Sequence, residues 1–213
     1  MSIVEDAKKG IITEEMKAVA AQEGVTEDFI RRGIASGQIV IPVSPYRKVK
    51  LCGIGGGLKT KVNCSVGTST DIVDVDMEVQ KVKAGERASA DTIMELSTGG
   101  DFVEVRRRCI EATTLSVGSV PLYQAFIEAA RKDGAVIHMR EDDLFRITEE
   151  QARLGTNFMA IHTGVNRITL DRLQRQGRHG GLGSRGGAFL TAWMLHNDKE
   201  NPLYAEFDYL CEI

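Results

Sequence analysis

The stretch Asp91-Thr-Ile-Met-Glu-Leu-Ser-Thr-Gly-Gly100 predicts a buried β-strand that ends in a polar loop. Its apolar run carries a single acid, Glu95, and stops at Ser97; residues 101–110 then have the pattern of a helix. Free N–H groups and the positive end of the dipole make a helix start favourable for anions. The stretch therefore predicts a place to hold an anion or a polar ligand.

The same unit of strand, polar loop and helix recurs along the chain. Predicted strands cover residues 61–66, 91–96, 115–120 and 157–162, with a short, glycine-broken fifth strand and loop within 181–187. Predicted helices cover residues 74–88, 101–110, 121–132, 144–154, 168–176, 188–195 and 203–210. Such alternation, with apolar strands buried on both faces, is typical of a parallel sheet in an α/β protein.

Five βα units leave two architectures open. One is a (β/α)₈ barrel of the TIM type that is incomplete in this chain, and the other is an open five-stranded sheet. Residues 1–58 are predicted to be a mainly helical N-terminal extension, and residues 59–213 to be the first units of the barrel. In the extension, Thr13 is a candidate N-cap, Gly24 ends the helix, and residues 38–42 form a short strand. The run Gly53–Gly57 precedes a strand rather than a helix, so we interpret it as a tight turn and not as a phosphate loop.

Composition excludes several classes of protein. A net charge of −3 gives no indication of a basic face for binding nucleic acid. No apolar run approaches the roughly 20 residues that a membrane helix needs. The N-terminus lacks the features of a secretory signal, so we expect a cytoplasmic protein. The four cysteines and four histidines have no metal-binding spacing, and we expect the cysteines to be reduced and separate.

Candidate ligand-binding residues follow from the rule that parallel α/β folds place function at the carboxyl ends of their strands. Read in order, those ends give Ser65, Met94, Tyr123, His162 and the run Ser184-Arg185-Gly186-Gly187. A spacing of 29 residues separates Ser65 from Met94 and Met94 from Tyr123, which predicts equivalent positions in successive units. Lys61, Asn63 and Gln124 are lesser candidates.

Each candidate also has a structural interpretation. Met94 can be core filling, Tyr123 can be packing, and His162 can be a histidine with a purely structural role. Arg185 is harder to explain in that way, because the glycines beside it permit close backbone approach and its guanidinium matches phosphate or carboxylate. We therefore predict an anion site at residues 184–187.

Several motifs together carry a family resemblance. They are Lys9–Met16, Lys61–Ser69, Ile93–Gly99, Gly118–Ala125, Ile161–Val165, Ser184–Gly187 and Lys199–Tyr204. In order and spacing they resemble the N-terminal half of the ThiC family, the phosphomethylpyrimidine synthases of thiamine biosynthesis. The resemblance covers nearly the whole chain.

The resemblance implies a fold, a reaction and a set of roles. The family folds as a (β/α)₈ barrel with an N-terminal domain. It uses S-adenosylmethionine and a [4Fe–4S] cluster to make a deoxyadenosyl radical, which rearranges 5-aminoimidazole ribotide into the pyrimidine phosphate; a divalent metal, zinc or iron, is also implied. By resemblance Ser65, Met94, Tyr123, His162, Ser184, Arg185 and Gly186 bind the ribotide, with residues 184–186 near its phosphate.

The chain departs from the family pattern in three ways. Ser65 stands where the family usually has a substrate-binding asparagine, and Glu95 replaces an aspartate. The cluster motif and the metal-binding histidines of the second half have no counterpart, so we expect the chain alone not to cleave S-adenosylmethionine.

Three functions and one association remain as hypotheses. The chain can belong to a phosphomethylpyrimidine synthase, to a 5-hydroxybenzimidazole synthase that makes a cobamide lower ligand from the same substrate, or to a non-catalytic ribotide-binding paralogue. An incomplete barrel exposes strand edges, so we expect self-association or a complementary chain carrying the C-terminal half.

Overall fold

The computed structural model describes residues 2–213; Met1, the first residue of the predicted extension, lies outside the described residues. The N-terminal part contains α1 (Ile3–Lys8), α2 (Glu14–Glu23), α3 (Glu27–Ala35), β1 (Ile39–Val40) and β2 (Ile54–Gly55). The remainder contains β3 (Asn63–Val66), α4 (Val75–Arg87), β4 (Thr92–Glu95), α5 (Phe102–Glu111), β5 (Ser116–Ser119), α6 (Pro121–Asp133), a 3-10 helix (Val136–His138), α7 (Glu141–Arg153), β6 (Phe158–Met159), α8 (Arg167–Gln176), α9 (Arg185–Asn197), α10 (Pro202–Ala205) and α11 (Phe207–Glu212).

The central sheet has four parallel strands in the order β3-β4-β5-β6. The predicted α/β class and the parallel sheet are therefore confirmed. The predicted fifth strand is wrong, because Arg185, Gly186 and Gly187 form the first turn of α9 instead. Before that turn, Gly180 and Gly181 have φ angles of 77° and 61°, which an extended strand does not allow.

The two faces of the sheet bury different side chains. Ile93 and Val117 point towards α4 and α5, where they join a cluster with Val82 and Val105. Met94, which follows Ile93 on β4, points to the opposite face and joins a second cluster built mainly from α6, α7 and α9. Alternate residues of a strand face opposite sides of a sheet, so the strands divide the core into these two layers.

The strand β3 lies at one edge of the sheet and departs from the predicted burial. The side chains of β4 and β5 are buried throughout, as the sequence predicts. On β3, Asn63 and Ser65 are exposed and only Val66 is buried. The prediction of burial on both faces is therefore wrong for this strand. Its inner face, which is the face that carries Ser65 and its register partner Met94, has no covering layer among the described residues.

The N-terminal segment covers the amino end of the sheet. Lys50 donates its backbone N–H to the Thr114 carbonyl at 2.7 Å, just before β5. Ser116 Oγ lies 3.5 Å from the Pro42 carbonyl, and the Arg47 guanidinium donates to the Thr113 carbonyl. These contacts leave the carboxyl ends of the strands free of the N-terminal segment.

The glycine run at residues 53–57 contains a strand as well as a turn. Gly55 pairs with Ile39 in the antiparallel sheet of β1 and β2, and its φ is 151°. A Cβ at Gly55 would overlap the Gln38 carbonyl, so the close approach of the two strands requires glycine. Within residues 2–213, no helix has the length and apolar character needed to cross a membrane.

Candidate ligand site

A row of inner-face residues runs across the sheet near its carboxyl end. Ser65 pairs with Met94, and Met94 pairs with Gly118 on β5. A Cβ on Gly118 would overlap the Phe158 ring, which lies over this glycine from β6. Ser65 is exposed and Met94 is 8% exposed. The row therefore offers one accessible hydroxyl beside a largely buried thioether.

The equal spacing of the candidates does not give equivalent positions throughout. Ser65 and Met94 are register partners, as predicted. Tyr123 lies in the first turn of α6, and the residue of β5 that pairs with Met94 is Gly118. The second interval of 29 residues therefore ends one helical turn beyond the strand, because β5 is followed directly by the helix-starting Pro121.

Tyr123, His162 and Arg185 form one cluster beyond the carboxyl ends of β5 and β6. The Tyr123 and His162 rings have centroids 6.4 Å apart and are tilted by 43°. The Arg185 guanidinium carbon lies 4.9 Å from the Tyr123 ring centroid, a cation–π distance. Tyr123 also packs against the hydrophobic cluster that contains Met94. Tertiary structure thus connects four of the candidates whose positions in sequence span residues 94–185.

Gly186 is required by the His162 ring rather than by a turn. A Cβ added to Gly186 would lie 2.5 Å from His162 Nε2 and 2.7 Å from Cε1. Real Cβ atoms do not come this close to a ring, so only glycine lets the first turn of α9 pack against the imidazole. Arg185 therefore places its guanidinium over the Tyr123 ring, and the backbone of the next residue, Gly186, packs against the His162 ring.

The start of α9 has the character of an anion site. Ser184 Oγ accepts the N–H of Gly187 at 3.1 Å, which leaves the N–H groups of Arg185 and Gly186 without an intrahelical acceptor. No acidic residue lies in the first turn, and the Arg185 side chain is exposed. The helix dipole and a guanidinium thus act at the same place.

The start of α5 does not have this character. The sequence predicts an anion or a polar ligand there, and of these two the anion is wrong. Asp101 Oδ1 accepts the N–H groups of Val103 and Glu104 at 3.0 Å each, so a carboxylate already occupies the helix start. The hydroxyls of the preceding loop are also engaged. Thr68 donates its N–H to Ser97 Oγ at 3.0 Å and its hydroxyl to the Gly99 carbonyl at 2.7 Å. These bonds join the loops after β3 and β4.

Glu95 belongs to a buried polar network on the face of the sheet that packs against α5. Its Oε2 lies 3.1 Å from Arg106 Nε as an ion pair without the direction of a good hydrogen bond, and its Oε1 accepts the N–H of Ser97 at 2.6 Å. Arg106 also donates to Gln124 Oε1 at 3.1 Å. Burial lowers the pKa of Arg106, and the charge of Glu95 opposes that shift. This departure from the family pattern therefore faces away from Ser65 and Met94.

The lesser candidates lie outside the cluster. Lys61 forms an ion pair with Glu23 at 3.0 Å at the amino end of the sheet. Asn63 Oδ1 accepts the hydroxyl of Thr92 at 3.0 Å. Gln124 is buried and donates to Glu128 at 2.8 Å. Each of the three has a structural partner.

Burial favours the neutral form of His162. Its pKa is lowered by desolvation, and its Nδ1 is buried without a hydrogen-bond partner among the described residues. We expect NMR titration of the imidazole to give a pKa below 6.5, the ordinary value. Since the unfolded chain then binds the proton at higher pH than the folded chain, acidification below that ordinary value should reduce stability, and His162→Gln should remove this contribution. A pKa at or above the ordinary value would contradict the prediction.

The cysteines do not form a cofactor site within the part of the chain that the structure describes. Cys52, Cys64, Cys109 and Cys211 are free, and no group of three or more His, Cys, Asp or Glu side chains there is arranged to hold a metal. Burial raises the pKa of Cys109 to about 12, which keeps it a thiol. The described residues therefore do not fit an iron–sulfur cluster or a divalent metal.

The fold and the cluster define an α/β protein with a polar site at the carboxyl ends of its parallel strands. Residues 2–213 match the model of the Radical SAM ThiC family. The chain is 96% identical over its whole length to a phosphomethylpyrimidine synthase of Methanospirillum hungatei, 78% to one of Methanoculleus marisnigri and 76% to one of Methanoregula boonei. It covers 50% of each of these proteins.

The chain therefore belongs to the radical SAM ThiC family, which confirms the resemblance carried by the motifs. It spans about half the length of the curated relatives it matches.

Proposed function

We propose that the chain provides the ribotide-binding part of a phosphomethylpyrimidine synthase, which converts 5-aminoimidazole ribotide into hydroxymethylpyrimidine phosphate in thiamine biosynthesis. The observation that carries this proposal is the convergence of Tyr123, His162 and Arg185 at the carboxyl end of the sheet. The names of the relatives favour the pyrimidine product over 5-hydroxybenzimidazole. The work of this chain is to bind and orient the substrate.

Each site residue has a role that its chemistry supports. The N–H groups of Arg185 and Gly186, the guanidinium of Arg185 and the hydroxyl of Ser184 receive the phosphate of the ribotide. The neutral imidazole of His162 forms a hydrogen bond with the aminoimidazole ring of the substrate, and the Tyr123 ring orients that substrate ring. Met94 supplies an apolar wall.

Ser65 is the accessible polar group on the sheet beside that wall. As a hydroxyl it both donates and accepts, so it replaces the family's usual asparagine with a shorter side chain. We propose that it reaches the ribotide through a shorter or water-mediated contact.

The family implies S-adenosylmethionine, an iron–sulfur cluster and, in the wider resemblance, zinc or iron. Because the described residues do not fit the cluster or the metal, the contribution of these residues is confined to binding the ribotide. We propose that the ligands come from outside these 213 residues.

We propose that residues 59–213 form the first units of a (β/α)₈ barrel and residues 1–58 an N-terminal extension. The open edges at β3 and β6 and the exposed inner face of β3 support this, because a strand edge favours pairing with a further strand. That further structure comes from a complementary half or from a second copy. A cytoplasmic location is part of the same proposal.

Phosphate recognition by Arg185 tests the proposed function. The protein for the test carries these 213 residues in place of the matching segment of the Methanospirillum hungatei relative. We expect it to bind 5-aminoimidazole ribotide, and Arg185→Ala to weaken binding about 30-fold, since a hydrogen bond to a charged group contributes about 2 kcal/mol. Calorimetric titration measures the affinities, and anaerobic turnover with mass spectrometry identifies the product.

Two controls make the result specific. Arg175→Ala removes an exposed arginine of α8 that pairs with Asp171 and with no other described residue, and it should leave binding unchanged. The riboside, which lacks the phosphate, should bind wild type and Arg185→Ala equally. An equal loss for both ligands would show that Arg185 does not recognise phosphate. Absence of ribotide binding by the wild type would reject the function, and binding without turnover would favour the non-catalytic paralogue.

A further inference from the structure

We propose that Asn201 is a positioning residue, which fixes His162 at the ribotide by binding the backbone of the loop that follows β6. The inference rests on the proposed function, and it adds to that function a residue outside the cluster. Asn201 lies at the N-terminus of α10, 39 residues after His162 in the chain.

The amide group of Asn201 is completely buried and uses its hydrogen-bonding groups on two segments. Its Nδ2 donates to the carbonyl of His162 at 2.7 Å and to the carbonyl of Val165 at 2.8 Å. Its Oδ1 accepts the N–H of Leu203 at 3.0 Å and so caps α10. The side chain is 0% exposed. An amide can donate two hydrogens and accept at one oxygen, and only asparagine supplies that set at this length.

The loop that carries His162 packs Ile161 and Val165 on the hydrophobic cluster but has few backbone hydrogen bonds. The strand β6 contains only Phe158 and Met159, and the last bond that joins this segment to the sheet runs from the Ala160 N–H to the Ser119 carbonyl at 2.9 Å. From there to the start of α8 the backbone has no regular structure. The two bonds from Asn201 are therefore the first buried anchors after the sheet ends.

Neighbouring residues hold the far end of the same loop. The carboxylate oxygens of Glu200 both lie 3.2 Å from the N–H of Arg167, at the first turn of α8. The Arg167 guanidinium pairs with Asp198 Oδ1 at 2.8 Å. These groups are at the surface, where such contacts contribute little. Asn201 is thus the buried member of the segment between α9 and α10 that holds the loop.

The position of the His162 ring depends on the position of its backbone. The ring is confined between Tyr123 and the backbone of Gly186, with contacts that leave no room for a Cβ. If the His162 carbonyl loses its partner, the loop relaxes and the ring leaves this place. Misplacement of a reacting or orienting group by about 1 Å can lower the reaction rate by up to about 100-fold.

Asn201→Asp separates the positioning role from the capping role. Aspartate caps a helix as well as asparagine does, so α10 keeps its acceptor. It lacks both N–H donors, however, and places a carboxylate against two carbonyl oxygens. In the full-length chimaeric protein we expect about a tenfold loss of affinity for 5-aminoimidazole ribotide, because the displaced ring loses its hydrogen bond to the ligand; calorimetry well below the unfolding temperature measures this loss.

The control is Asn197→Asp at the end of α9, where an exposed asparagine makes the same pair of bonds to carbonyls. Asn197 Nδ2 also donates to two carbonyls, those of Ile137 at 3.0 Å and Trp193 at 2.9 Å, but the loop after β6 is not among them. We expect this variant to keep wild-type affinity. We also expect Asn201→Asp to cost no more than about twofold in a His162→Ala background, because there the histidine to be positioned is gone.

Two affinity results would overturn the proposal, and so would one NMR result. One is wild-type affinity for Asn201→Asp, and the other is an equal loss with and without His162. A readout without ligand keeps the proposal separate from the proposed function: the ¹³C-edited NMR signals of the His162 ring should move in Asn201→Asp and not in Asn197→Asp. Unmoved signals contradict the positioning role, whereas failure of the wild type to bind ribotide contradicts only the function.

Discussion

Replacing Arg106 with methionine should destabilise the protein by about 3–5 kcal/mol, because it leaves the Glu95 carboxylate buried without its ion-pair partner. Glu95 is 1% exposed and Arg106 3% exposed, so water cannot replace the lost guanidinium without opening the core. The same change removes the donor to Gln124. Urea unfolding followed by circular dichroism measures the difference in the free energy of unfolding.

The adjacent arginine provides the control. Arg107 pairs with Glu104 at 2.7 Å and Glu111 at 2.8 Å, but its side chain is 43% exposed. Arg107→Met should therefore cost no more than about 1 kcal/mol. The double variant Glu95→Met with Arg106→Met should recover much of the loss, since an apolar pair of similar volume replaces the charges. Equal effects of Arg106→Met and Arg107→Met would show that the buried pair does not stabilise the fold.

Glu95 also shows where reasoning from sequence ends. The sequence predicts a buried strand over residues 91–96, because apolar residues and a glycine-rich stop define it, and the structure has this strand at Thr92–Glu95. The family resemblance marks Glu95 as a departure from the usual aspartate, directly after the candidate Met94. In the structure the two side chains point to opposite faces of β4, and the partner of Glu95 lies on α5. Residues that are adjacent in a strand have side chains on opposite faces of the sheet.

Local signals predict the helix starts, and tertiary contacts decide the site. Thr13 accepts the N–H of Met16 as a cap, as its position before two glutamates predicts. Ser184 also caps a helix, but the glycines around it are as typical of a broken strand, so its helix start at residue 185 was not predicted. Asn201 has no local signal at all, because its acceptors lie 36 and 39 residues earlier in the chain.

Gly186→Ala should abolish most of the ribotide binding while leaving the helix itself intact. Alanine is a better helix former than glycine, so α9 gains slightly in intrinsic stability. The added Cβ, however, would lie 2.5 Å from His162 Nε2, and the ring has to move away. We expect about a 100-fold loss of affinity in the full-length chimaera, since the ligand loses a hydrogen bond to the histidine, about 1 kcal/mol, and a charge-assisted one to the phosphate-binding turn, about 2 kcal/mol.

Gly183→Ala is the control, because a Cβ at Gly183 meets no atom within 4 Å and it lies three residues before Gly186. It should bind the ribotide with nearly wild-type affinity. The riboside distinguishes the two consequences of Gly186→Ala: displacement of His162 weakens riboside and ribotide binding alike, and distortion of the turn weakens the ribotide alone. Near-wild-type binding by Gly186→Ala would mean that the ligand does not need His162 against α9. The packing of that ring on Gly186 would then be structural, and the site would have to be sought nearer to Ser65 and the exposed face of β3.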